Sequence, residues 1–97
     1  MKKCDSLEEV RLEIDKIDDQ LVELIADRSH LVKQAASFKN SIEDIKADKR
    51  VDIVLQRVRN NAIKKGISPN MMSDLFKIMI DEMVEMEISE FRNAGAF

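Results

Sequence analysis

The sequence has 97 residues and a formal net charge of −3 at pH 7, with 4% aromatic residues and neither Trp nor Tyr. A chain of this length forms one domain at most, so we expect a single domain over residues 1–97. The acidic balance and the scarcity of aromatic residues argue against a protein that binds nucleic acid, because such proteins carry excess basic charge and stack bases on aromatic rings.

The first half of the chain has apolar residues at every third or fourth position from Ser6 to Ile45, which predicts one long helix that begins to fray at Asn40 and Ser41. Ser6 and Glu9 have the spacing of a capping box at its start. A helix of about 40 residues would be about 60 Å long, which exceeds the width of a globule of ~100 residues. We therefore expect a homodimer, in which a second chain covers the apolar stripe. The stripe consists of Leu7, Val10, Ile14, Ile17, Leu21, Leu24, Leu31, Ala35, Phe38, Ile42 and Ile45.

Two shorter helices follow in the predicted order. Asp48 is a candidate N-cap for the second helix, which Gly66 ends. Ser68 and Pro69 form a start signal for a third helix that ends near Arg92. No strand pattern or repeat is visible, so we predict an all-α fold of three helices, in the order long, short and medium.

Arg28 breaks the apolar stripe of the first helix. A guanidinium group stays charged when it is buried, so a core-facing arginine needs an anionic partner. That partner is either a glutamate of another helix or a bound anion. On a continuous helix, Lys39 would be rotated from Arg28 by about 20° around the axis, and their Cα atoms would be roughly 16 Å apart along it. Two such side chains would grip opposite ends of a small dianion.

Three further charged residues are candidates for the same site. Arg11 lies about 25 Å from Arg28 along the helix, so it would share a ligand only across two chains; otherwise it is a solvated charge. Arg50 stands in the first turn of the second helix, where a cation is unfavourable to the helix dipole, or is simply a surface charge. Glu87 falls on the apolar face of the third helix, where burial favours its neutral form unless a cation such as Arg28 pairs with it.

Other classes of site find little support in the sequence. The chain has one Cys and one His, without the spacing of metal ligands or of a nucleophile and its base, so we expect no metal site and no nucleophilic catalysis. No apolar run is long enough for a signal peptide or a membrane span, which favours a cytoplasmic protein.

The residues in question resemble the all-helical chorismate mutase family, and the similarity covers about Leu7 to Arg92. The resemblance implies an intertwined homodimer that binds chorismate, a small dicarboxylate, and needs no cofactor. The matching stretches are Val10–Asp18, Leu21–Arg28, Lys39, Arg50, Gly66 and Leu75–Phe76.

This resemblance also implies a role for each candidate residue. Arg28 and Lys39 would line the pocket of their own chain, Arg11 would reach into the pocket of the second chain, and Arg50 would bind substrate. Glu87 occupies a position where most bacterial members have a glutamine that donates a hydrogen bond to the ether oxygen of the substrate. Lys39 and a protonated Glu87 would then stabilise the charge that develops on this oxygen.

Two positions depart from the mutase pattern. Ala47 and Val51 stand where mutases of the family usually have an acidic pair, and they resemble the isochorismate pyruvate-lyase branch, which forms salicylate and pyruvate. That branch, however, keeps a glutamine at the position of Glu87. We predict a chorismate mutase, with the lyase as the alternative. A non-enzymatic helical dimerisation module is a further alternative, although a coil gains little from an arginine in its core.

Overall fold

The computed structural model describes residues 3–48 and 50–94, and every regular element in these ranges is a helix. The all-α prediction and the order of long, short and medium helices are confirmed, with two short elements added, a 3-10 helix and a five-residue α-helix. The elements are α1 (Leu7–Ala35), a 3-10 helix (Ala36–Phe38), α2 (Ile42–Lys46), α3 (Arg50–Lys65) and α4 (Pro69–Ala94). None of the helices in the described ranges combines the length and the hydropathy needed to cross a membrane.

The chain divides into two units, and the boundary between Leu31 and Val32 falls within α1. The first unit contains most of this 29-residue helix. As predicted, Ser6 caps its start, with Oγ accepting from the Glu9 N–H at 3.1 Å. The Glu9 carboxylate accepts from the Asp5 N–H at 3.0 Å, one residue before the position that a standard capping box uses. No residue of α1 is buried, and Leu24 and Leu31 are each 64% exposed.

The prediction of one helix from Ser6 to Ile45 is wrong, because the first α-helix ends at Ala35 and Lys39 is extended, with φ −97° and ψ 149°. Polar side chains explain the break by bonding to the local backbone. The Ser41 hydroxyl accepts from the Asp44 N–H at 3.1 Å and caps α2, while the Asp44 carboxylate accepts from the Asn40 N–H at 3.1 Å. The apolar period continues through this break, which is why periodicity alone did not detect it.

The second unit has its core between α3 and α4. Val54, Val58 and Ile80 form a buried cluster, against which Val51, Leu55, Met72, Phe76 and Val84 pack. The 3-10 helix and α2 also pack on α4. Ala36 and Ile45 are almost fully buried there, at 3% and 2% exposure. The short elements between α1 and α3 are thereby fixed against α4.

A tight turn at Gly66 joins α3 to α4. Gly66 has a φ of 72°, and the Ile67 N–H donates to the Ala62 carbonyl at 3.0 Å. The Ser68 Oγ then accepts from the Met71 N–H at 3.1 Å and caps α4. The sequence predicted both the glycine stop and the serine cap.

We expect Gly66→Ala to lower the free energy of unfolding by roughly 1–2 kcal/mol, because an L-residue in the left-handed region is strained. A Cβ atom at this position would have no atom within 4 Å, so the loss is due to the backbone alone. Urea unfolding measures the effect. Gly66→Asn is the control, since asparagine tolerates this conformation and should lose less. Equal stability of Gly66→Ala and the natural chain would contradict the assignment.

Candidate active site

Lys39, Asp48 and Glu87 come together in the second unit. The Lys39 ammonium group donates a hydrogen bond to Asp48 Oδ2 at 3.0 Å and lies 4.0 Å from Glu87 Oε1. Lys39 follows the 3-10 helix, Asp48 precedes α3, and Glu87 lies on α4. Two carboxyl groups therefore face one cation.

Lys39 is positioned by the break after α1. Its backbone N–H donates to the Ala36 carbonyl at 3.2 Å, which closes the 3-10 turn against α4. The extended backbone of Lys39 then leads into α2. The predicted spacing of Lys39 and Arg28 on one continuous helix is consequently wrong. Lys39 is nevertheless half-buried and next to Glu87, as a residue of a pocket must be.

Asp48 bonds to two groups with its two oxygens. Oδ1 accepts from the Arg50 backbone N–H at 2.9 Å, which confirms the predicted cap of α3, and Oδ2 accepts from Lys39. The backbone hydrogen bond from Arg50, followed by the hydrogen bond and the charge of Lys39, holds the pKa of Asp48 below its ordinary value of 3.8. Asp48 is therefore ionised at neutral pH. Sequence reasoning found its capping role and missed its contact with Lys39.

Glu87 is the buried member of the cluster. It is 7% exposed, and its Oε1 atom has no hydrogen-bond partner. Burial raises the pKa of Glu87 above its ordinary value of 4.5, while the Lys39 charge opposes this rise and the Asp48 charge adds to it. The prediction that α4 carries a carboxyl group on its apolar face is confirmed. A protonated Glu87 and the Lys39 ammonium group form a pair of hydrogen-bond donors suited to an anionic or ether oxygen.

The remaining predicted site residues belong to both units of the chain. Arg11 is exposed and Arg28 is half-buried, and both belong to α1 in the first unit. Arg50 is exposed at the start of α3, and Ala47 is exposed at the end of α2. Val51 is half-buried and packs against the α3–α4 core. Of the predicted set, the structure thus brings together Lys39 and Glu87, and it adds Asp48 to them.

No cluster of His, Cys, Asp and Glu side chains within residues 3–48 and 50–94 could hold a metal ion. What the site offers is the ammonium group of Lys39 and a carboxyl group whose neutral form is favoured. Groups of this kind are suited to stabilising charge on an oxygen atom.

Comparison with known proteins identifies the family. The family described as "Chorismate mutase type II" matches residues 10–88. The chain belongs to this family. Membership confirms the resemblance seen in the sequence.

Three relatives show how the similarity extends over the chain. A chorismate mutase of Methanocaldococcus jannaschii is 31% identical over 78 residues, which cover 79% of each chain. A bifunctional chorismate mutase/prephenate dehydratase of Buchnera aphidicola is 35% identical over 78 residues, and the match spans 76% of this chain and 20% of that one. An isochorismate pyruvate lyase of Pseudomonas aeruginosa is 30% identical over 89 residues, which cover 92% of this chain and 88% of the relative.

We expect Glu87→Gln to change how stability depends on pH. The raised pKa means that the folded chain holds this proton more tightly than the unfolded chain, so the contribution of Glu87 to stability is complete below pH 4.5 and is lost as pH rises through the folded pKa. A glutamine does not titrate, and Asp48 is present in both proteins. The natural chain should therefore lose stability relative to Glu87→Gln as pH rises, which urea unfolding at a series of pH values measures. If the difference in free energy of unfolding between the two proteins stays constant from acid to alkaline pH, the raised pKa of Glu87 is contradicted.

Proposed function

We propose that this chain is a chorismate mutase, which converts chorismate to prephenate without a cofactor in aromatic amino-acid biosynthesis. The observation that carries the proposal is the Lys39 ammonium group 4.0 Å from the buried Oε1 of Glu87, in a chain whose residues 10–88 match the mutase family. The location of the protein in the cytoplasm stays a prediction from the sequence.

The rearrangement is a one-substrate pericyclic step, so the protein has to restrain the substrate and stabilise charge. One C–O bond breaks while one C–C bond forms, and both carboxylates must be held so that the reacting carbons approach each other. Negative charge builds on the ether oxygen because C–O cleavage runs ahead of C–C bonding. A donor placed where charge develops is worth about 3–4 kcal/mol of barrier, or about 10²–10³ in rate.

Lys39 and protonated Glu87 act as these donors. Glu87 Oε1 has no hydrogen-bond partner within the described part of the protein, so a ligand would bond to this oxygen without breaking an existing hydrogen bond. Its burial limits competition from water and favours the protonated form. Lys39 supplies a full positive charge close to the same carboxyl group.

The carboxylates of the substrate require arginines, which bind them through two parallel hydrogen bonds. Arg28 of the same chain and Arg11 of a second chain take this role, with Arg50 as a further substrate-binding residue. The second chain is a homodimer partner. The exposed apolar stripe of α1 supports dimerisation, since residues such as Leu21 and Leu24 are 50% and 64% exposed in the single chain.

A lyase activity on isochorismate is the second candidate. The supporting observation is that the match to the isochorismate pyruvate lyase covers 92% of this chain. Ala47 and Val51, which replace the acidic pair typical of mutases, agree with it. Glu87 and the relatives described as mutases favour the rearrangement.

A side-by-side assay tests the proposed function. We expect the purified protein to consume chorismate with saturable kinetics and to form prephenate, measured by the loss of chorismate absorbance. With isochorismate, salicylate fluorescence reports the lyase reaction, and we expect it to be the slower of the two. No turnover of chorismate between pH 5 and 8 would remove the mutase assignment, and faster salicylate formation would replace it with the lyase.

Mixing two inactive variants tests whether the site is shared between chains. We expect Arg11→Ala and Arg28→Ala to be inactive separately. After they are unfolded together and refolded in equal amounts, half of the dimers are mixed and each has one intact site, so about a quarter of the natural activity should return. Each variant refolded by itself is the control. Mixed dimers without activity would contradict the contribution of Arg11 from the second chain.

A further inference from the structure

We propose that Asp48 is a positioning residue of the active site, which holds the Lys39 ammonium group and balances its charge so that the neighbouring Glu87 keeps the proton it donates. The inference rests on the proposed function where it concerns turnover, but the arrangement of charges is a property of the chain itself. Neither the family match nor the relatives assign a role to Asp48.

The geometry of the three side chains favours Asp48 as the ion-pair partner of Lys39. The ammonium group lies 3.0 Å from Asp48 Oδ2 and 4.0 Å from Glu87 Oε1, so it forms a hydrogen bond with the first oxygen and not with the second. An ammonium group has three donors. Lys39 can therefore keep its bond to Asp48 while it offers another donor to a ligand.

Burial separates the two carboxyl groups further. Glu87 is 7% exposed, whereas the Asp48 side chain is 37% exposed and receives a second hydrogen bond from the Arg50 N–H. Two carboxyl groups that share one cation differ in protonation when their environments differ in this way. This difference favours the negative charge on Asp48 and the proton on Glu87.

Other charged groups on the elements packed against α4 do not replace Asp48 in this role. On α2, Glu43, Asp44 and Lys46 are exposed, and Asp44 bonds to the Asn40 N–H. Arg50 of α3 is exposed and its charge acts on Asp48. The charges that shift the pKa of Glu87 are those of Lys39 and Asp48, in opposite directions. Without Asp48, the charge of Lys39 would lower the pKa of Glu87 and favour the loss of its proton.

Asp48→Asn separates this electrostatic role from the capping role. Asparagine has nearly the same size, caps helices as well as aspartate does, and keeps an oxygen for the Arg50 N–H, but it has no charge. Asp81→Asn is the matched control, because Asp81 is an exposed carboxylate of α4 that pairs with Lys77 at 2.7 Å. It removes the same charge from the same unit at a position away from Glu87.

The first experiment is a pH profile of kcat with chorismate. In the natural chain, kcat should fall as pH rises through the pKa of Glu87. In Asp48→Asn this fall should move to lower pH by on the order of one unit, with roughly tenfold lower kcat on its alkaline side. Asp81→Asn should leave the profile in place. An unmoved profile in Asp48→Asn would overturn the proposal.

The double variant tests whether the effect passes through Glu87. Glu87→Gln should give a profile without this fall, and addition of Asp48→Asn should leave that profile flat. If Asp48→Asn lowers alkaline kcat as strongly in the Glu87→Gln background as in the natural one, the effect does not pass through the Glu87 proton and the proposal is wrong.

A carbon-13 NMR titration of the Glu87 carboxyl group in the free protein keeps the inference separate from the proposed function. Asp48→Asn should lower the pKa of Glu87, and Asp81→Asn should not. This shift would support the charge balance even if chorismate is not turned over, in which case the proposed function alone fails. An unchanged Glu87 titration in Asp48→Asn would overturn the inference even in an active mutase.

Discussion

The buried carboxyl group of Glu87 beside the Lys39 ammonium group is the interaction on which the account depends. A glutamate on the apolar face of a helix is costly when it is ionised, and the protein reduces this cost by favouring the protonated form. A direct ion pair with Lys39 would instead stabilise the ionised carboxylate of Glu87 and favour the loss of that proton. In our proposal Asp48 opposes this effect, because it binds Lys39 at 3.0 Å, while Glu87 Oε1 has no hydrogen bond to the described residues. The proposed arrangement therefore has a buried donor, the Glu87 carboxyl group, next to the positive charge of Lys39.

This arrangement depends on an interruption of the first helix. If the helix ran on to Ile45, Lys39 would continue the line of α1. Instead, the hydroxyl groups of Ser37 and Ser41 and the carboxylate of Asp44 bond to the nearby backbone, and the chain turns before α2. The 3-10 helix and α2 then pack on α4, which brings Lys39 to Glu87. Local polar hydrogen bonds, not the apolar stripe, determine where Lys39 lies.

Much of the fold follows from local signals in the sequence. The hydroxyl groups of Ser6 and Ser68 cap helix starts, and Gly66 permits the left-handed turn that ends α3. Glu87 stands out because it breaks an apolar face. The end of α1 was missed, since the same apolar spacing continues through a segment that is not helical. The contact between Lys39 and Asp48 was missed as well. It depends on how two turns pack on α4, and no periodicity encodes that packing.

The most direct measurement is calorimetric binding of a stable bicyclic ether dicarboxylate that imitates the chair-like transition state, in buffers of different ionisation enthalpy. Such a ligand accepts a hydrogen bond from protonated Glu87 and so raises the pKa of Glu87 further. We predict that binding takes up a proton at pH values between the pKa of Glu87 in the free protein and its pKa in the complex, that it takes up none well below this range, and that Glu87→Gln takes up none at any of these pH values. Tight binding by the natural chain without proton uptake at any pH would contradict it.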